Sequence, residues 1–170
     1  MENTIEIHDL GFVKLLDVMG DDQEVENAAR ISYGEGTRKV SQTRNLIRYL
    51  MRHKHTSPFE MCEVKFHLKL PIFVMRQLVR HRTANLNEYS GRYSVMSNEY
   101  YLPQADYLQK QSTTNNQGRN EVLPNKGLLH FEFNRVYDTA QITYENLLEE
   151  DLARELSRVV LPVANYTECI

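Results

Sequence analysis

The chain has no tryptophan and only two cysteines, Cys62 and Cys169, in 170 residues. They lie far apart and form no Cys-x-x-Cys pair, so neither a zinc ribbon nor a thioredoxin-like motif is supported. No apolar run approaches the roughly 20 residues that a membrane-spanning helix needs. The start, Met1-Glu2-Asn3-Thr4-Ile5-Glu6, lacks the basic-then-apolar order of a secretion signal. Reduced thiols, a cytoplasmic location and no membrane partner are therefore expected. A large charge of one sign is missing too: the net charge is −3. Bulk electrostatics gives no reason to expect non-specific nucleic-acid binding, and any anion site must be a local cluster.

What is present is ordinary for a globular protein: 41% of residues are hydrophobic and 25% charged. The length suits a single domain over residues 1–170, with enough chain for a core. Ile5-Glu6-Ile7 and Phe12 to Leu16 read as short strands. Asp21 or Asp22 can cap a helix through Ala28-Ala29-Arg30. Gly34-Glu35-Gly36 breaks the chain, and Ser41 can cap a second helix with an apolar stripe of Leu46, Ile47, Leu50 and Met51. Val64, Phe66, Leu68 and Leu70 alternate with Glu63, Lys65, His67 and Lys69, which predicts a strand with one buried face. Cys62, which opens it, is expected to be a small buried residue. Pro71 suits the first turn of a helix expected to end near Arg82. Residues 104–127 are polar and are expected to form a mobile surface segment. A long helix should follow from Leu128 to Glu150, with Phe133, Val136, Tyr137, Ala140, Tyr144, Leu147 and Leu148 at near-helical spacing. A last helix should span Leu152 to Leu161, stopped by Pro162. The pattern predicts an α+β fold: a mainly antiparallel sheet flanked by helices, with a long late helix.

The most informative stretch runs from Arg80 to Tyr93. It holds Arg80, His81, Arg82 and Arg92, the amides of Asn85 and Asn87, and Ser90, with Glu88 as its sole acid. Arg76 adds a cation one helical turn upstream of Arg80. Guanidinium forks pair with phosphate oxygens, while amides, a carboxylate and a hydroxyl can read the edge of a base. A ligand with phosphates and a polar ring fits this composition. His53, His55 and His67 suggest a metal site, but His53-x-His55 near a helix end does not put both rings on one helical face, which favours a structural or ligand-contacting role over a metal. No metal is expected.

Arg80-His81-Arg82, followed after seven residues by Ser90, resembles the RHR-x7-S motif of flavin-dependent thymidylate synthases. The continuation through Asn87, Glu88, Arg92 and Tyr93 fits as well. Upstream, His55-Thr56-Ser57-Pro58-Phe59-Glu60 looks like that family's HTSPFE segment. Downstream, the run from Ala153-Arg154 to Val160-Leu161-Pro162 is similar to its late helix end. The pieces keep the family's order and approximate spacing. Asn85 stands where many members carry serine. Family members also usually continue for several tens of residues beyond a point equivalent to Ile170, so the resemblance leads one to expect that the C-terminal part of the usual domain lies outside this sequence.

The resemblance implies methylation of dUMP to dTMP, with FAD as cofactor, methylenetetrahydrofolate as one-carbon donor and NADPH as reductant. No cysteine nucleophile is implied, which agrees with both cysteines lying outside the polar cluster. Carried over by position, His55, Ser57, Arg80, His81, Arg82 and Glu88 would contact FAD. Gln77, Arg80, Glu88, Tyr89, Ser90, Gly91, Arg92 and Arg158 would bind dUMP. Ser90 and Arg158 would stand nearest the chemistry. The family also implies a homotetramer whose active sites are shared between subunits. Two other readings stay open. One is a flavin- or nucleotide-binding protein without turnover, because part of the site is lacking. The other is a single-stranded nucleic-acid module using Arg76, Arg80, Arg82 and Arg92 on phosphates, with Tyr89 and Tyr93 stacking on bases. The acidic net charge argues against the last.

Overall fold

The computed structural model describes residues 3–32 and 43–170. In chain order they form β1 (Thr4–Ile7), β2 (Gly11–Met19), α1 (Asp22–Arg30), α2 (Thr43–Arg52), β3 (Glu63–Pro71), α3 (Ile72–Leu78), β4 (Gln109–Gln111), β5 (Arg119–Val122), α4 (Lys126–Glu149), α5 (Arg154–Ser157) and β6 (Tyr166–Cys169). One sheet has the order β1-β2-β3-β6, and β4 and β5 make a separate hairpin. This is the α+β class expected, with α4 as the long late helix. The chain divides into two compact units, Met1–Ile5 with Val13–His67 and Glu6–Phe12 with Leu68–Ile170.

In the smaller unit, Asp21 caps α1 as expected. Its Oδ1 accepts from the Gln23 and Glu24 N–H groups at 2.8 and 3.2 Å, satisfying donors that a helix start leaves orphaned. Gly20 just before it has φ +84, and a Cβ there would lie 2.7 Å from Cys62 Sγ, so only glycine fits. The Cys62 thiol is half-buried, less covered than expected, and donates to Asp21 O at 3.6 Å. In α2 Leu50 is buried but Met51 is exposed, so the apolar stripe is narrower than its sequence. The helix closes at Lys54, whose φ of 56 is left-handed, and His55 N–H donates to Leu50 O at 2.9 Å. The expected buried face of β3 is not formed in its first half, where Val64 and Phe66 are exposed. Alternation marks which side chains share a face; burial also requires a layer over that face. The expected break at Gly34-Glu35-Gly36 and cap at Ser41 lie outside the described residues.

In the larger unit, β3 and β6 pair antiparallel, with Leu68 opposite Cys169 and Leu70 opposite Thr167. Pro71 remains extended (φ −65, ψ 147) and caps α3 rather than entering its first turn. That helix stops at Leu78, earlier than expected. The chain then tightens into i→i+3 bonds, Arg80 N–H to Gln77 O at 3.2 Å and His81 N–H to Leu78 O at 3.0 Å. Only Arg76 of the basic cluster is therefore helical. Residues 104–127 include the β4–β5 hairpin, in which Gln109 pairs with Val122 and Gln111 with Arg119.

The buried strip of α4 is Ala140, Gln141 and Tyr144, whereas Val136 is half exposed. This strip anchors the segment that precedes the hairpin. Tyr144, wholly buried, accepts the Met96 N–H at 3.0 Å on its hydroxyl. Tyr100 donates to Gln141 Oε1 at 2.8 Å, and Tyr137 donates to Tyr101 O at 2.9 Å. The last helix is shorter than expected: α5 passes into a 3-10 turn over Arg158–Val160. The buried Ser157 hydroxyl donates back to Leu152 O at 3.1 Å, before the helix start.

Candidate functional site

The larger unit holds a cavity of about 270 Å³ whose polar wall is Glu88, Tyr89, Ser90, Arg158, Asn165 and Thr167. Ile72, Met96 and Leu161 supply apolar surface, and Gly91 completes the rim. A few convergent polar groups on an apolar floor are the usual make-up of a small-molecule site.

Backbone pairing places the first of these groups. Residues 87–89 run antiparallel to β6, with Asn87 N–H on Ile170 O at 2.8 Å, Ile170 N–H on Asn87 O at 3.0 Å and Tyr89 N–H on Glu168 O at 2.8 Å. Although this loop follows the basic cluster, it is bound to the sheet like an edge strand. Thr167 donates to Glu88 Oε1 at 2.9 Å. At Ser90 the chain turns: the Tyr93 and Ser94 N–H groups both donate to Ser90 O at 3.1 Å, and Ser90 Oγ accepts from the Arg92 N–H at 3.3 Å. Tyr89 closes the turn by donating to Val95 O at 2.8 Å.

Gly91 allows two walls to meet. A Cβ at this position would lie 2.8 Å from Met96 Sδ and 3.1 Å from Arg158 Cδ. Arg92 points to α5 and pairs with Glu155 at 3.1 Å, both side chains being more than half exposed. Such a pair contributes less than about 1 kcal/mol and can be exchanged for a ligand. Burial, and then the Glu88 carboxylate, push the Cys169 thiol up from its ordinary value. A thiol so placed is a poor nucleophile at neutral pH.

The cavity thus gathers Glu88, Tyr89, Ser90, Gly91 and Arg158 from the residues singled out in the sequence. Gln77, Arg80, His81, Arg82 and Arg92 do not line it; they are exposed. Among the described residues, the side chains of Arg80, His81 and Arg82 have no hydrogen-bond or ion-pair partner. His55 and Ser57 belong to the smaller unit. There the His55 ring lies 6.2 Å from that of Tyr49, and Ser57 opens a 3-10 turn. No group of acids, histidines or cysteines among the described residues could hold a metal ion.

Sequence reasoning missed Thr167 and Asn165, together with Ile72, Met96 and Leu161. The apolar three carry no signal that separates them from core. Thr167 belongs to a short strand whose partner, the Glu88 loop, cannot be foreseen from local pattern. Asn165 sits between Pro162 and that strand and reads as a turn residue.

The family model described as "Thymidylate synthase complementing protein" matches residues 14–170. The chain belongs to this family. It is 54% identical over 166 residues to a flavin-dependent thymidylate synthase of Ehrlichia ruminantium (strain Gardel), covering 94% of this chain and 54% of that protein. It is 52% identical over 171 residues to one of Anaplasma marginale (strain St. Maries), covering 99% and 58%. The chain spans about half the length of the curated relatives it matches. Among solved structures it is similar to a UMP/dUMP methylase, PolB, from Streptomyces cacaoi bound with 5-Br dUMP. That likeness has a TM-score of 0.84 and 34% identity, over 97% of this chain and 74% of the other.

Proposed function

We propose that this chain is a flavin-dependent thymidylate synthase. It would methylate dUMP to dTMP with methylenetetrahydrofolate as one-carbon donor and NADPH as reductant. The observation that supports the reading is the cavity in which Glu88, Ser90 and Arg158 converge, since these are positions that the resemblance assigns to the nucleotide. Arg80 and Arg82 fit a flavin diphosphate. They are exposed guanidinium groups without a partner among the described residues, and charge-assisted bonds to phosphate are among the strongest available to a side chain.

FAD, when bound, supplies the hydride chemistry that no side chain offers. The residues do the rest. Arg80, His81 and Arg82 hold the dinucleotide, with His55 and Ser57 adding contacts. Gln77, Arg80 and Arg92 hold the nucleotide phosphate, while Tyr89, Ser90 and Gly91 fix its position. Arg158 and the Ser90 hydroxyl polarise the pyrimidine, which is orientation and electrostatic work rather than covalent catalysis. Glu88 touches both ligands. The protein would assemble as a homotetramer with shared sites. Exposed Tyr93 and Val159, on segments next to the cavity, support a partner-facing surface there.

The test is a purified preparation. A yellow protein that oxidises NADPH in response to dUMP, and forms dTMP when methylenetetrahydrofolate is added, meets the proposal. Flavin and dUMP binding without turnover would reduce it to a binding protein. A colourless protein with no affinity for dUMP would refute it. Light scattering after size exclusion reads the assembly.

A further inference from the structure

We propose that Asn165 is a ligand-binding residue whose Oδ1 accepts a hydrogen bond from the pyrimidine nucleotide, and that it selects ligands with a donor at that point. The proposal rests on the nucleotide reading given above and adds a residue outside the motif.

Asn165 is wholly buried and lies in the cavity wall. Its Nδ2 donates to Ser97 O at 2.8 Å and to Glu99 O at 2.9 Å. The two amide protons are thereby used, and the orientation of the amide is fixed. Flipped by half a turn, it would press its own oxygen against two carbonyl oxygens. The backbone is occupied as well: the N–H donates to Pro162 O at 3.0 Å, and the carbonyl accepts from the Ile72 N–H at 2.9 Å. One atom is left over. Asn165 Oδ1 is the single buried side-chain nitrogen or oxygen without a hydrogen-bond partner among the described residues. Thr167, also in the wall, spends its hydroxyl proton on Glu88.

A buried acceptor with no partner is costly, and native proteins rarely keep one without a reason. Here the reason is a donor brought by the ligand. The amide is already oriented by Ser97 and Glu99 and need not turn on binding; the wall that shields Oδ1 from solvent must give way to admit the donor. The acceptor also discriminates sharply, because a ligand lacking the donor leaves the atom unpaired, and one offering a lone pair is repelled. At neutral pH deoxyuridine monophosphate has two donors, the imide N3–H of the base and the 3′-hydroxyl of the sugar. Either would satisfy Oδ1, and the two are separable by analogues of almost unchanged shape. In dCMP a lone pair replaces the N3–H; in 2′,3′-dideoxy-UMP the hydroxyl is missing.

The experiment measures dUMP, dCMP and dideoxy-UMP binding by calorimetry to the flavin-loaded protein in its native assembly, as wild type and as Asn165→Ala. We expect one analogue to bind wild type about tenfold or more weakly than dUMP, and that penalty to shrink to about twofold in the variant. The analogue concerned identifies the donor. A merely structural Asn165 would weaken all three ligands alike and leave both ratios unchanged, which overturns this proposal while dUMP binding stands. Failure of wild type to bind dUMP overturns the nucleotide reading and this proposal with it. Because Asn165→Ala also frees two carbonyls and could fail to fold, a crystal structure of wild type with dUMP gives an independent answer. A ligand N–H or O–H within about 3.2 Å of Oδ1 supports the assignment; a water there, or no ligand atom, overturns it.

Discussion

The hydroxyl of Thr167 and the carboxylate of Glu88 meet at 2.9 Å between β6 and a loop far from it in sequence. Thr167 is almost fully buried, whereas Glu88 is exposed towards the cavity. The bond therefore connects the sheet to the ligand side of the loop and restricts the rotamers of a side chain assigned to both ligands. Thr167→Val keeps the shape and removes the donor. The expected cost in stability is about 1 kcal/mol, the usual size of such a bond when the acceptor can turn to water. The expected loss of nucleotide affinity is of the same size, about fivefold, because Glu88 is no longer pre-oriented. Thermal unfolding and calorimetry check the two figures; a wild-type affinity in a normally folded variant would show that Glu88 needs no positioning.

How this loop comes to lie on the sheet is what the sequence conceals. The RHR-x7-S segment, the cap at Asp21 and the long helix up to Glu149 are legible because their determinants are local: side-chain chemistry, a capping oxygen, apolar spacing. The pairing of residues 87–89 with β6 is a contact across the whole second half of the chain, and no local pattern specifies it. The ends of α3 and α5 were misjudged for a similar reason. Both helices finish in i→i+3 turns, with Arg80 N–H on Gln77 O and Leu161 N–H on Arg158 O. Asn165 was invisible because its role depends on two carbonyls, those of Ser97 and Glu99, that only the fold brings to it.

Arg80 gives the clearest separation of binding from folding. Its side chain is exposed and has no partner within the described residues. Arg80→Ala should leave the unfolding midpoint within the error of measurement. Flavin and dUMP affinities should each fall about tenfold to a hundredfold, the value of a lost charge-assisted bond to phosphate. Flavin retention on gel filtration and dUMP calorimetry report this. Full retention of both ligands would remove Arg80 from the site.

Gly91→Ala tests the tightness of the cavity wall. The new methyl would stand 2.8 Å from Met96 Sδ and 3.1 Å from Arg158 Cδ, and no glycine-only backbone angle is involved. Met96 is flexible enough to move, so stability should drop by only about 1 kcal/mol. Its thioether can retreat only by shifting within a wall that is also bonded through the Met96 N–H to Tyr144. Arg158 is displaced together with it. dUMP affinity should fall about tenfold while flavin affinity holds. Equal loss of both ligands would point to a general disturbance instead.

The support beneath Asn165 should give the protein a specific acid sensitivity. Lys69 donates to Glu99 Oε1 at 2.7 Å and Ser97 donates to Oε2 at 2.9 Å, while the Glu99 carbonyl accepts from Asn165 and from the Tyr166 N–H. The Lys69 hydrogen bond, opposed by burial and helped by Ser97 and by the lysine charge, holds the Glu99 carboxyl below the ordinary carboxylate range. A carboxyl depressed in the folded state contributes stability that is present above its unfolded value and is lost as pH falls through the folded one. Lys69→Met removes the cause of the depression. At pH 7 the variant should be about 1–2 kcal/mol less stable, between the values for exposed and fully buried pairs, since both side chains remain partly accessible. As pH falls below the ordinary carboxylate range and through the depressed Glu99 value, the wild-type carboxylate takes up a proton, and the gap between the two proteins should narrow. Urea unfolding of both proteins across this range measures the gap directly. A difference that stayed constant from neutral to acid pH would mean that Lys69 stabilises by packing its methylenes and not through Glu99.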